Sequence, residues 1–230
     1  VTSPGTNSET SPGTSPRTSP AQPPAGPGRV RRVGLVLFDE VEVLDACGPF
    51  EVFSVAGRVA ARAGRAAPFE VVLVAAGDGP GVRARGGLRL GADCTLAQAP
   101  PCEVVLVPGG VVDAVAADPR LLEWLRRSRS GAEVVASVCT GAFVLAAAGL
   151  LDERAVTTHW EDVDALRAAW PGLDVREGVR FLDHGDLATS AGISAGIDLS
   201  LHLVQRLAGR ELALATARQM DYAWRGGAGA

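Results

Sequence analysis

The chain has 230 residues, 47% of them apolar, with a net charge of −4. That is enough for one packed domain, and it leaves no basic footprint for nucleic acid. Its positive charge is all arginine, and its four cysteines (Cys47, Cys94, Cys102, Cys139) show no CxxC pair and no metal-finger spacing, which points to a reducing, cytosolic setting rather than to disulfides or a structural metal.

Residues 1–29 are rich in Ser, Thr, Pro and Gly. They cannot bury enough apolar surface to offset their ordering entropy and are expected to be a disordered tail. They lack the apolar stretch of a signal peptide. A single domain is expected over 30–230. "RVGLVLF" (32–38) is a short, continuous apolar run, as in a strand buried on both faces. "GPFEVFSVAGRVAARAG" follows as a helix with Pro49 in its first turn and Phe50, Val52 and Phe53 facing inward. "FEVVLVAAG" (69–77) is a second buried strand. Residues 78–100 are Gly-rich and read as a small hairpin excursion.

"CEVVLVPGG" is a third strand ending in a turn. "ADPRLLEWLRRS" is a helix with Asp118 as cap and Pro119 in the first turn. "AEVVASV" is a fourth strand and "GAFVLAAAGLL" a buried helix ended by Gly149. Ser137, Thr140 and Gly141 interrupt this region, so it is not a membrane span. "RAVTTHW" reads as a short strand and "EDVDALRAAW" as an amphipathic helix closed by Pro171-Gly172. "DVREGVRFLDHGDLATSAG" reads as strands joined by a turn at 184–186, and two helices finish the chain. Alternating strands and helices imply an α/β fold, a mostly parallel sheet with helices on both faces. In such sheets ligands bind beyond the carboxyl ends of the strands. Asp45, Gly109, Gly110, Cys139 and His159 all follow the ends of apolar strands.

Cys139 lies where a strand turns into a helix. It is either a small buried hydrophobe or a nucleophile whose pKa the helix N-terminus lowers, with Gly141 permitting a tight backbone approach. The Thr140 and Gly110 N–H groups can form an oxyanion hole; otherwise Thr140 caps a helix and the glycines make a tight turn. Asp45, an acid among apolar residues before a helix, is either a general acid or base beside the thiol or a brace for the turn. His159 either orients and deprotonates Cys139 or is a wall residue packed against Trp160. His184 belongs to a turn and His202 to a helix interior. Cys47, Phe50 and Trp160 are candidate pocket walls.

The motifs "FDEVEVLDACGPFEVF", "VVLVPGG", "SVCTGAFVLAAAGLLDERAVTTHW" and "TSAGISAGIDLSLHLV" carry a resemblance to the ThiJ/PfpI superfamily over residues 30–224. The resemblance implies the flavodoxin-like, class I glutamine amidotransferase-like fold and a homodimer. Within the superfamily the chain is most similar to the isonitrile hydratase group and to the sensor domains of AraC-type regulators. It implies Cys139 as nucleophile and Asp45 as acid, with the Thr140 hydroxyl positioning water or substrate. Gly109, Gly110 and Trp160 would bind substrate, and no metal or organic cofactor would be needed. Cys47 stands where the hydratases would carry threonine, and Thr140 stands where protease-like members carry histidine.

Three functions follow as expectations. The first is a cysteine-dependent hydratase converting an isonitrile to an N-substituted formamide. The second is a ligand-sensing domain without catalysis. The third is a redox or stress protein whose cysteine oxidises to a sulfinate. AraC-type regulators continue into a helix-turn-helix module, and no basic helical segment is legible up to Ala230, so direct DNA binding is not expected.

Overall fold

A computed structural model describes residues 29–151 and 154–224. The expected tail falls, apart from Arg29, outside the described residues. The first strand, β1 (Arg31–Leu37), is followed by helix α1 (Val43–Arg62), strand β2 (Phe69–Ala75) and a hairpin of β3 (Gly81–Arg83) and β4 (Arg89–Gly91). A two-residue strand, β5 (Cys94–Thr95), leads to β6 (Val104–Val107), a single helical turn α2 (Asp113–Ala116) and helix α3 (Pro119–Arg129). Next come β7 (Val134–Val138), α4 (Gly141–Ala147), β8 (Ala155–Val156), α5 (Val163–Ala169) and β9 (Asp174–Val175). The chain closes with β10 (Phe181–Asp183), β11 (Leu187–Ser190), α6 (Ala195–Ala208) and α7 (Arg210–Gln219).

Seven strands make one sheet in the order β10-β11-β7-β6-β1-β2-β5. Every pairing in it is parallel except that of the edge strand β10 with β11. All four residues of β6 and all five of β7 are buried, which requires cover on both faces. Helices α1, α6 and α7 pack together, as do α2, α3 and α4. The α/β architecture and its mostly parallel sheet are as the apolar runs predict. Among the described residues no helix is long and apolar enough to cross a membrane.

Several local expectations are corrected. Helix α1 starts at Val43, ahead of the expected position, and Pro49 sits inside it rather than in its first turn. The helix survives because its buried stripe, Ala46, Pro49, Val52, Phe53, Ala56 and Ala60, anchors both sides of the proline. Pro49 takes the inward slot, and Phe50, one position off it, is 38% exposed rather than buried. The excursion at 78–100 contains the expected hairpin, but β5 also leaves it to pair with β2 at the sheet edge. Only Ala155 and Val156 of "RAVTTHW" are extended in a ladder, and they pair with β9 outside the main sheet. The helix after it opens with a 3₁₀ turn at Trp160–Asp162. Asp118 caps α3 as expected, accepting the Arg120 N–H at 2.9 Å.

Candidate active site

The thiol sits on a sharp turn. Cys139 follows β7 directly and has φ +57°, a left-handed conformation that costs a residue with a Cβ about 1–2 kcal/mol. Neighbouring groups hold it there. Its N–H donates to the Ser190 carbonyl at 3.0 Å, and its carbonyl accepts the Thr158 hydroxyl at 2.9 Å. Gly141 permits the close passage that follows: a Cβ there would lie 2.2 Å from the Val107 carbonyl oxygen. The strand-to-helix turn is therefore built by tertiary contacts on β6 and β11 as much as by its own sequence.

Asp45 and Cys139 meet behind this turn. Asp45 lies in the first turn of α1, not before the helix as the sequence suggests, and is fully buried. Its Oδ2 accepts the Gly109 N–H at 3.1 Å. Its Oδ1 is buried without a partner of good hydrogen-bond geometry among the described residues, and the Cys139 thiol interacts with the same carboxyl. Burial raises the Asp45 pKa to about 7; the Cys139 and Gly109 hydrogen bonds oppose that rise, and the Glu42 charge adds to it.

The thiol itself departs from expectation. Cys139 is 7% exposed. Burial first, and then the Asp45 charge, push its pKa far above the ordinary cysteine value, against the Thr140 N–H, which lowers it. The expected helix-dipole activation is outweighed: α4 has seven residues, and the dominant influences are desolvation and a carboxylate. The two groups titrate as a pair. Once the carboxyl ionises near neutral pH, the remaining proton stays on the thiol, with a base beside it.

The expected oxyanion pair is differently engaged. The Gly110 N–H donates to the Thr140 hydroxyl at 2.9 Å, and that hydroxyl donates to the Gly110 carbonyl at 2.9 Å. The Thr140 N–H serves the Cys139 sulfur. Gly109, Gly110, Thr140, Asp45 and Cys139 are thus one connected cluster, but its amides already have partners.

His159 closes the other side. A Cβ at Gly192 would lie 2.4 Å from His159 Cδ2 and 2.8 Å from the Cys139 sulfur, so ring and thiol face each other across that glycine. Gly192 escaped the sequence reading, although it lies in the quoted motif "TSAGISAG"; the signal was present without a reason to choose among its glycines. His159 Nδ1 is 3.4 Å from Asp162 Oδ2 and 3.6 Å from Glu161 Oε2. Trp160 is 71% exposed and touches the site through the His159 ring, at a centroid separation of 5.7 Å. Cys47 is partly buried on α1. His184 stands apart, its Nε2 2.7 Å from the Ala155 carbonyl. His202 pairs with Asp183.

The DJ-1/PfpI family model matches residues 31–206. The chain is 35% identical over 193 residues to isonitrile hydratase from Pseudomonas putida, covering 84% of this chain and 78% of that protein. It is 36% identical over 146 residues to the HTH-type transcriptional regulator CdhR from Pseudomonas aeruginosa, covering 64% of this chain and 43% of the regulator, so less than half of that protein is matched. Among solved structures, a ThiJ/PfpI family protein from Pseudomonas syringae superposes with a TM-score of 0.74 at 26% identity, over 85% of this chain and 76% of that one.

Proposed function

Because the chain belongs to the DJ-1/PfpI family, we propose that it is a cysteine-dependent hydratase of small molecules, with isonitriles as its substrate and N-substituted formamides as its product. The observation that carries this reading is the buried Asp45 carboxyl, raised to about 7 and shared with the Cys139 thiol. An isonitrile carbon is terminal, linear and a proton acceptor. Its hydration needs a nucleophile and a proton delivered to the same carbon, and the first addition creates no oxyanion. A thiol and a carboxyl on one proton meet that need, whereas the engaged Gly110 N–H suits amide cleavage poorly. The resemblance to isonitrile hydratase over most of both chains supports the same choice.

In this scheme the sulfur bonds to the isonitrile carbon while Asp45 takes the thiol proton and gives it to that carbon. The product is a thioimidate, R–N=CH–S–Cys139. Water then adds to the carbon, its oxygen forming the new bond and one proton going to nitrogen. The carbon–sulfur bond breaks, the hydroxyl proton returns through Asp45 to sulfur, and the formamide R–NH–CHO leaves. The test is to incubate the protein with an alkyl isonitrile and follow formamide by chromatography. Turnover that disappears in Cys139→Ala supports the reading; equal product with both proteins rejects it.

A second reading, ligand sensing without turnover, draws on the match to part of a transcriptional regulator. It predicts saturable isonitrile binding, seen by calorimetry, with no formamide and no dependence on the Cys139 sulfur.

A further inference from the structure

We propose that Thr158 is a positioning residue whose hydroxyl sets the angle of the nucleophile turn and ties the His159 segment to it; this rests on Cys139 being the nucleophile. Thr158 is 1% exposed. Its Oγ1 donates to the Cys139 carbonyl at 2.9 Å, on a residue held at φ +57°. A left-handed cysteine persists only where its surroundings over-determine it. Here the constraints are the Ser190 carbonyl on the N–H side and, on the carbonyl side, the Thr158 hydroxyl at 2.9 Å with the Ala142 N–H at a longer 3.3 Å.

The same hydroxyl also bridges two chain segments. Thr158 immediately precedes His159, and the His159 ring faces the thiol across Gly192. The segment is fixed in turn from behind. The Thr157 N–H donates to Thr189 Oγ1 at 2.9 Å, and the Thr157 hydroxyl donates to the Arg176 carbonyl at 2.8 Å. Thr157 and Thr189 are each 1% exposed. A buried hydroxyl bonded to a neighbouring segment's backbone resists displacement, because breaking it would strand the hydroxyl away from water and leave the Cys139 carbonyl only the longer bond from the Ala142 N–H at 3.3 Å. Removing the Thr158 hydroxyl releases both the turn and the ring beside the sulfur, and a small misplacement of reacting groups is costly in rate.

The test compares Thr158→Val, Thr158→Ser and the control Thr216→Val. Thr216 is fully buried and its hydroxyl has no hydrogen-bond partner among the described residues. The readout is the pH profile of Cys139 alkylation by iodoacetamide, with circular dichroism as the check on folding. Thr158→Val is expected to slow alkylation about tenfold near neutral pH, the rate equivalent of one lost hydrogen bond. Thr158→Ser should stay within about twofold of the wild type, since it keeps the donor, and Thr216→Val should leave the profile unchanged. If Thr158→Val does not fold, Thr158→Ala removes the donor without placing a methyl group against the carbonyl, and the same slowing is expected. A folded donor-less variant with the wild-type profile overturns the proposal, as does an equal slowing in Thr216→Val. Alkylation does not use the isonitrile, so a protein without isonitrile turnover but with a slowed Thr158→Val would sink the hydratase reading and leave this one standing.

Discussion

Asp45 is shut off from water. Its ordinary pKa of 3.8 rises to about 7 on folding, so the native state disfavours the charged form. The sign of the stability effect follows. A carboxyl with a raised folded pKa lends its full relative stability below about pH 4 and loses it as pH climbs to about 7. Asp45→Asn removes the buried charge. In urea titrations it should gain on the wild type by up to about 3 kcal/mol between pH 5 and pH 8, and little more beyond. A difference independent of pH would contradict a buried, titrating carboxyl. The identities of Cys139 and Asp45 as candidates are readable from their places after apolar runs and from the resemblance. The direction of the thiol pKa is not. A strand-to-helix context argues for lowering, while the raising influences come from Asp45, distant in sequence, and from burial. Gly192 and Thr158 stay hidden for the same reason: what matters about each is the neighbour it meets only in the folded chain.

Elements were readable where their own residues sufficed. Four apolar runs gave four core strands, and Asp118-Pro119 gave the start of α3. The misreadings fall where a partner decides. Helix α1 continues ahead of Pro49 because its buried stripe outweighs the missing donor. The two-residue β5 exists only through its pairing with β2. The edge strand β10 shows how polar side chains hold an element that is too short to hold itself. Asp183 on β10 lies 2.7 Å from His202 Nε2 and also accepts from the Arg206 guanidinium, both on α6. Burial alone would raise the Asp183 pKa; the His202 hydrogen bond and the Arg206 charge overcome it and hold it at about 2. A depressed carboxyl contributes stability above about pH 4 that is lost as pH falls toward 2. Asp183→Asn should therefore cost about 2–3 kcal/mol at pH 7, a partly exposed version of breaking a buried pair, with the gap to the wild type closing in acid. Thermal melts at pH 7 and pH 2.5 check this; an equal loss at both would show packing, not charge, to be responsible.

At the scale of the molecule, the order of strands assembles the site. Strands β1, β6, β7 and β11 are consecutive neighbours in the sheet, and past their carboxyl ends come Asp45, Gly109 and Gly110, Cys139 and Gly192 in the same succession. A parallel sheet thus gathers residues far apart in sequence onto one edge, the place where such folds bind ligands. The order of elements made this edge foreseeable, and the resemblance already set Asp45 beside the thiol, but the full burial of that carboxyl is visible only in the folded chain. The central claim is that these two groups share a proton poised near neutrality. The most direct measurement is the rate of Cys139 alkylation against pH in the wild type and in Asp45→Asn. The wild-type rate should climb through about pH 7 as Asp45 becomes the base, and the variant should be slower at pH 7.5 by about tenfold or more and lack that inflection. Superimposable profiles for the two proteins would contradict a shared proton.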